Sequence, residues 1–333
     1  MQEAKYYELL PDGSTKCLLC PHNCVIKPEK ISPCKARKNI GGVLYAKNYG
    51  ECVSIAMDTI EKKPLYHFYP GTLILSTAPN SCNFKCPYCQ NSEISQEESS
   101  TKYVSPEELV ESALQENSLG IAYTYTEPLT WYEYLIDTAK IARNKGLKNV
   151  LVTNGMINEE PLKELLPYID AANIDLKSMD PEFYKKIVWG DLETVLNTIK
   201  ITKNHWHIEL ANLIIPGYND SPELIQELVD FVASIGVDIP LHFSRYFPHY
   251  KFNVPPTPVE TLRFAGELAC EKLQYVYIGN VWIKESSGIR DWSSTYCPEC
   301  GNLLVNRSYF GVRVTGIADG RCIKCGRKAD FVI

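Results

Sequence analysis

The sequence has no run of about 18 apolar residues, which argues against a membrane-spanning helix, and its first residues show no signal-peptide pattern. It has no excess of positive charge. Its 34 Lys and Arg stand against 40 Asp and Glu, a formal net charge of −6, so no overall basic field points to nucleic acid. It also lacks the even cysteine count of a disulfide framework. The 13 cysteines fall into groups of four, three and four with two single residues, which suits metal sites in a reducing cytoplasm. The single residues, Cys52 and Cys270, read as packing groups.

What is present fits a globular protein. With 333 residues, 45% hydrophobic and 22% charged, the chain can build one barrel-sized domain with appendages. Its centre of organisation is residues 80–95, NSCNFKCPYCQNSEIS. Cys82, Cys86 and Cys89 are spaced C-x3-C-x2-C. Three thiolates so close can hold three corners of an iron–sulfur cube, which ordinarily takes four. The next cysteine is Cys270, so one iron is left open for a ligand, as on catalytic zinc. A zinc knuckle or three core thiols are the alternatives. The preceding run, Thr72–Thr77, reads as a buried strand, and α/β barrels place their chemistry at strand ends.

CNFKCPYC resembles the signature of the radical S-adenosylmethionine (SAM) superfamily, with Tyr88 as the aromatic before the third cysteine. The resemblance implies a [4Fe–4S] cluster whose open iron chelates SAM. One electron from the cluster then cleaves SAM to methionine and a 5′-deoxyadenosyl radical.

Strand-like runs at Thr72–Thr77, Ile121–Tyr125, Asn149–Thr153, Ala172–Leu176, His207–Ile215, Pro240–Phe243 and Tyr275–Ile278 alternate with helix-like segments. These lie at 131–144, 158–166, 181–203, 221–234 and 257–272, with a further start at Ser105-Pro-Glu-Glu, an N-cap followed by Pro at N1 and Glu at N3. Alternation of this kind predicts a parallel sheet with crossover helices. Periodicity does not separate a barrel from an open sheet. The resemblance does, implying a partial (β/α)6 TIM-like barrel. We expect a Cys-rich metal module over 1–57, the barrel over 58–290 and a zinc ribbon over 291–333.

Polar residues at strand ends are the cleft candidates. Thr124-Tyr-Thr-Glu-Pro128 stands where the family has Gly-Gly-Glu, which holds the SAM amino group; Thr126 and Glu127 stand where glycine and glutamate are usual, so the pattern departs from the family's in its backbone contact. Asn154 in Thr-Asn-Gly and Asp175 with Lys177 in Asp-Leu-Lys match positions of the glycyl-radical-enzyme activases, and the resemblance places Lys177 near SAM. Read from the residues alone, Asp175 and Lys177 share one strand face and suit a zwitterionic amino acid. His242 is either a cleft or a core residue, and Arg245 is shaped to grip a carboxylate. His67, in the aromatic run Tyr66–Tyr69, reads as a satisfied loop histidine in a linker over the barrel mouth or its bottom.

The outer cysteine groups read as metal sites. Cys17, Cys20, Cys24 and Cys34, spaced x2, x3 and x9 among prolines, form a loop-built module in which His22 could replace one thiolate. Zinc is the first expectation there, and a second iron–sulfur cluster is the alternative. Cys297, Cys300, Cys322 and Cys325 form two C-x2-C knuckles, each followed by Gly, a zinc-ribbon pattern with a rubredoxin-like iron site as the alternative. Arg307, Arg313, Arg321 and Arg327 read as its solvated face.

Across nearly its whole length the chain resembles the radical SAM enzyme of the AmmeMemoRadiSam system, akin to pyruvate formate-lyase activating enzymes. The blocks that carry this are CLLCPHNC, IEKKPLYHFYPG, SCNFKCPYCQNSEIS, YTYTEP, LVTNG, NIDLK, IIPGYND, PLHFSRYFP, YVYIGN and CPECG. The resemblance implies a cytoplasmic oxidoreductase that takes electrons from a reduced ferredoxin or flavodoxin. It implies association with Memo-like and AMMECR-like proteins, and supplies no substrate. A metal-stapled interaction or nucleic-acid-binding module is the competing reading. The intact cysteine triplet and Asp-Leu-Lys argue for the enzyme.

Overall fold

Apolar, β-branched runs build the centre of the molecule. The structure is a computed structural model that describes residues 1–281, 291–308 and 311–333; the expected barrel boundary at 290 lies outside them. Strands β1 (Glu51–Thr59), β2 (Leu73–Pro79), β3 (Gly120–Tyr123), β4 (Lys148–Thr153), β5 (Ala171–Asp175), β6 (His207–Ile214), β7 (Leu241–Arg245) and β8 (Val276–Gly279) lie side by side in chain order. From β2 to β8 every neighbouring pair is parallel. β1 pairs antiparallel with β2, and a two-residue strand, Lys102–Tyr103, extends that edge. Among the described residues the order is linear and does not close, as in the expected partial barrel, and the sheet is a mostly parallel one of α/β type. All four residues of β3 are buried, as expected of a strand covered on both faces.

Crossover helices follow the expected spans closely. Helix α1 (Pro106–Gln115) begins with the predicted capping box: Glu108 N–H donates to Ser105 Oγ (3.2 Å) and Ser105 N–H to Glu108 Oε2 (2.8 Å). Such a cap is worth about 1 kcal/mol. The single helix expected over 181–203 is instead two pieces. A short helical segment, Pro181–Val188, ends at Trp189 with φ +57°, and Asp191 caps a new helix, α2 (Leu192–Thr202), by accepting from Thr194 N–H at 2.8 Å. The break follows from packing against the cysteine loop: a Cβ on Gly190 would stand 2.6 Å from the Phe84 ring.

The N-terminal module is two small antiparallel sheets. Arg37 and Glu133, both almost fully buried, join it to the main domain at 2.7 Å, and Tyr6 OH donates to Glu164 at 2.7 Å. The expected boundary at 57/58 falls inside β1, which belongs to the main sheet.

The C-terminal ribbon packs on the segment before β2. Val332 and residues 67–69 exchange backbone hydrogen bonds (Tyr69 N–H to Val332 O, 2.7 Å; Val332 N–H to His67 O, 2.8 Å). His67 is fully buried, against Asp330 O (2.7 Å) and Tyr277 OH (2.7 Å) and stacked on Phe331 (4.1 Å). A carbonyl only accepts, so Nδ1 carries the proton and Nε2 accepts from Tyr277. The segment runs beneath the sheet, where strands begin: Asn173 Nδ2 donates to Pro64 O (2.9 Å) and His67 N–H to Glu209 (2.7 Å). The solvated-face expectation is corrected for two arginines. Arg307 is buried, over the Tyr66 ring at 4.1 Å and donating to Tyr66 O at 2.5 Å. Arg327 reaches Gln274 (2.8 Å) and Asp330 (3.1 Å). Both groups touch residues far away in sequence, which composition does not encode. Arg313 and Arg321 are exposed.

Candidate active site

The loop that leaves β2 carries the three central cysteines. Cys82, Cys86 and Cys89 line one cavity of about 700 Å³, together with Glu127, Asp175 and Lys177 from the ends of neighbouring strands. Asn83 anchors the loop: its Nδ2 donates to Met156 O (2.9 Å), and its Oδ1 accepts from Asn154 Nδ2 (2.8 Å). Phe84 N–H donates to Cys82 Sγ at 3.3 Å, and Cys89 Sγ lies 3.2 Å from Ser95 Oγ.

Burial pushes the Cys82 thiol well up and the Cys86 thiol to about 11. These thiols stay protonated on their own, and a bound metal is what draws out their thiolate form. Their sulfurs are not gathered around a point. Among the described residues, the ribbon quartet is the group whose ligand atoms all lie within 4.8 Å of one another. The triplet is thus too wide for one ion and suited to the larger iron–sulfur cube. Cys82, Cys86 and Cys89 are the cysteines on the cavity, so the donor set fits a cluster held at three corners.

Opposite the cysteines, Lys177 Nζ meets Asp175 Oδ2 at 2.9 Å. Burial works against the Lys177 ammonium, but the Asp175 carboxylate holds its pKa well above the ordinary value. The backbone here is clamped. Lys177 N–H donates to Tyr184 OH (3.0 Å), and Asn219 Nδ2 donates to Lys177 O (2.6 Å). Neither partner was singled out from the sequence, although Asn219 lies in IIPGYND, whose turn residues were the available signal.

Glu127 faces inward. Its carboxylate accepts from Leu129 N–H (3.0 Å), Thr153 Oγ1 (2.7 Å) and Asn154 N–H (2.8 Å), while burial pushes its pKa up to about 7. Thr126 Oγ1 donates to Pro79 O at 2.8 Å. Tyr125 before it has φ +61°, a conformation glycine adopts freely; its hydroxyl is hydrogen-bonded to Asp58. Asn154 and Glu127 therefore position the loop through contacts with protein groups. Tyr88 is buried, packed on Phe252 at 5.7 Å between ring centres.

His242 borders the cavity and is also buried, with Nε2 at 2.6 Å from Glu209 Oε2. Burial opposes the Glu209 charge, but His207 and His242 hold its pKa well below the carboxylate range. Arg245 is the exception among the candidates. Its Nε donates to Thr257 O at 2.8 Å, and it lines a neighbouring recess with Phe247 rather than the cysteine cavity. The β7 strand turns its side chain outward there, a direction the sequence pattern did not resolve.

The structure adds a second charged pair. Lys63, almost fully buried, meets Asp58 at 2.7 Å and lies over the Tyr125 ring at 4.5 Å. Burial works against the Asp58 charge, yet Lys63, Tyr125 and Lys62 hold its pKa well below the usual range. Asp58, Lys63, Tyr66 and Tyr125 all border the cavity.

At the other end, the ribbon cysteines close on a point. Cys297 and Cys325 sulfurs are 3.6 Å apart and Cys300 and Cys322 sulfurs 3.7 Å, which matches about 3.8 Å for a tetrahedral thiolate zinc with bonds near 2.3 Å. Gly301 and Gly326 have φ +68° and +76°, as the knuckle turns require.

Residues 77–232 match the family model of the radical SAM superfamily. Over its full length the chain is 47% identical to an uncharacterized protein of Methanocaldococcus jannaschii, covering 100% of both. It is 34% identical over 170 residues to the 4-hydroxyphenylacetate decarboxylase activating enzyme of Clostridium scatologenes, covering 48% of this chain and 54% of that one. Among solved structures, a domain of pyruvate-formate lyase-activating enzyme from Bacteroides vulgatus aligns with a TM-score of 0.43 and 23% identity, over 48% of this chain and 99% of that one. No described helix is long and apolar enough to cross a membrane.

Proposed function

From the match of residues 77–232 to the radical SAM superfamily model, we propose that the chain is a radical SAM enzyme, a glycyl-radical-activase-like oxidoreductase that abstracts hydrogen from its substrate. The carrying observation is the convergence of three cysteines with the Asp175–Lys177 pair on one cavity. When bound, a [4Fe–4S] cluster supplies the electron that cleaves SAM to methionine and a 5′-deoxyadenosyl radical.

Cys82, Cys86 and Cys89 would hold three irons of the cluster and leave the fourth for SAM. Lys177 would meet the methionine carboxylate of SAM and Asp175 its amino group, in place of part of the contact these side chains make with each other. Glu127 fixes Thr153 and Asn154, and through Asn154 the Asn83 amide beside Cys82. Tyr88 and Phe84 close the loop against water. Beyond the pair, Asp58 and Lys63 border the cavity and offer both signs of charge to a polar hydrogen donor, either a protein glycine or a small molecule.

The electron source is a reduced flavodoxin or ferredoxin. Assignment to the AmmeMemoRadiSam group, with Memo-like and AMMECR-like partners in the cytoplasm, rests on the sequence blocks quoted above. The ribbon metal is zinc, supported by its sulfur spacing.

The test is anaerobic. Reduced, iron-loaded protein is expected to release 5′-deoxyadenosine from SAM, and Cys86→Ala to abolish both the site cluster and that product. Wild-type yield from Cys86→Ala refutes the assignment. Incubation with deuterated cell extract then identifies the substrate as the molecule that passes deuterium to 5′-deoxyadenosine.

A further inference from the structure

Cys17, Cys20, Cys24 and Cys34 take no part in the catalytic cavity. All four line a separate, enclosed recess whose opposite wall comes from the main domain, including Asn83 and Trp189. The chain builds this recess deliberately. Cys17 N–H donates to Cys24 O at 3.0 Å, His22 stacks on Trp189 at 4.1 Å, and Asn158 Nδ2 donates to Leu18 O at 2.7 Å. Arg37 lies in the same wall, buried and paired with Glu133.

The spacing of the sulfurs separates the two metals that the sequence leaves open. A tetrahedral zinc draws its four sulfurs to about 3.8 Å from one another, and the ribbon quartet has that spacing at 3.6 and 3.7 Å. A [4Fe–4S] cube holds its four thiolate sulfurs roughly 6 Å apart. No three ligand atoms of the N-terminal module come within 4.8 Å of one another. The catalytic triplet behaves in the same way. Within one molecule, then, the N-terminal cysteines share the open spacing of the cluster site and not the closed spacing of the ribbon.

The alternative use of four thiols, in disulfides, fits poorly. All four cysteines are unpaired by disulfides.

We propose that Cys17, Cys20, Cys24 and Cys34 hold a second [4Fe–4S] cluster, with every iron thiolate-ligated, in a recess that backs onto the loop of Cys82. Having no open iron, this cluster does not bind SAM. Its position suits an electron store. His22 Nε2 lies 2.9 Å from Asn83 O, one residue from Cys82. One electron passes from the reduced auxiliary cluster to the oxidised site cluster without a proton or a bond change, and a low-potential one-electron donor such as reduced flavodoxin restores it. The electron's destination rests on the proposed function; the metal site does not.

The experiment uses the full chain, anaerobically reconstituted with iron and sulfide. A Cys82→Ser/Cys86→Ser/Cys89→Ser variant is expected to retain about four irons, about four sulfides and one zinc. Its reduced electron paramagnetic resonance signal should be unchanged by SAM. Two zincs and no iron in that variant overturn the proposal, as does a cluster signal that SAM perturbs. The reciprocal Cys24→Ser/Cys34→Ser variant should keep a SAM-sensitive cluster, with ribbon zinc and circular dichroism reporting its fold. If it is folded and keeps the wild-type iron content, the quartet does not hold iron and the proposal is refuted. If it loses all iron while the triple variant keeps four, the second cluster stands and the catalytic-site reading fails instead.

Discussion

Acid is expected to loosen the seam between the ribbon and the main domain, through His67. Burial lowers the pKa of this imidazole from an ordinary 6.5 to about 3, and no atom of it is exposed. The folded chain keeps His67 neutral, with Nδ1 donating to Asp330 O and Nε2 accepting from Tyr277. The unfolded chain takes up a proton as pH falls below about 6.5, and the folded chain does so only near 3. The contribution to stability is therefore complete above pH 6.5 and lost as pH falls from there toward 3. A shift of this size is worth roughly 5 kcal/mol in full, of which about 2 kcal/mol is gone by pH 5. Chemical denaturation of wild type and His67→Gln, both metal-loaded and anaerobic, should be compared between pH 8 and pH 5. Thiolate protonation and metal loss are common to both and cancel in the difference. Wild type is expected to lose about 2 kcal/mol more than the variant. Parallel pH profiles would refute the claim that a neutral, buried His67 is part of the seam.

Lys177→Ala is expected to weaken SAM binding by tenfold to a hundredfold with iron content unchanged, since a charged hydrogen bond is worth about 1.5–3 kcal/mol; equilibrium dialysis with SAM checks this, and unchanged affinity leaves Lys177 as a partner of Asp175 alone. Glu127→Ala strands three donors in the interior and is expected to cost several kcal/mol, read as a lowered thermal midpoint, while Glu127→Gln should recover part of that loss. Chelation of the ribbon metal should release one zinc and expose Tyr66 fluorescence to quencher, with the site-cluster spectrum retained at first; iron in the ribbon fraction would contradict the closed thiolate site.

Much of the sheet was legible because its strands are apolar runs covered on both faces, and β2 to β8 lie within two residues of where those runs stand. The cysteine groups were legible because sulfur ligation imposes short, repeated spacings. What escaped was long-range. The break at Trp189–Gly190 comes from the Phe84 ring, a hundred residues earlier in the chain, and no local propensity signals it. Glu209 is a carboxylate within an apolar strand, and its histidine partners come from its own strand and from β7. Arg307 looked like a solvated ribbon residue, and its burial depends on Tyr66 being brought beneath it.

The stitch between residues 67–69 and Val332 also bears on the order of events during synthesis. His67 and Asp330 are separated by 263 positions, and Tyr66, held by Arg307, borders the catalytic cavity. A chain emerging at about 5–20 residues per second can pair its strands as they appear, and Asn173, Glu209 and Tyr277 reach residues 64–67 early, but the backbone bonds of residues 67–69 wait until residues 330–332 have been made. The nascent protein therefore passes through an interval in which the sheet exists and residues 67–69 lack their backbone partner Val332. Nascent chains halted before residue 330 should show protease cleavage at 64–69 that the finished protein resists.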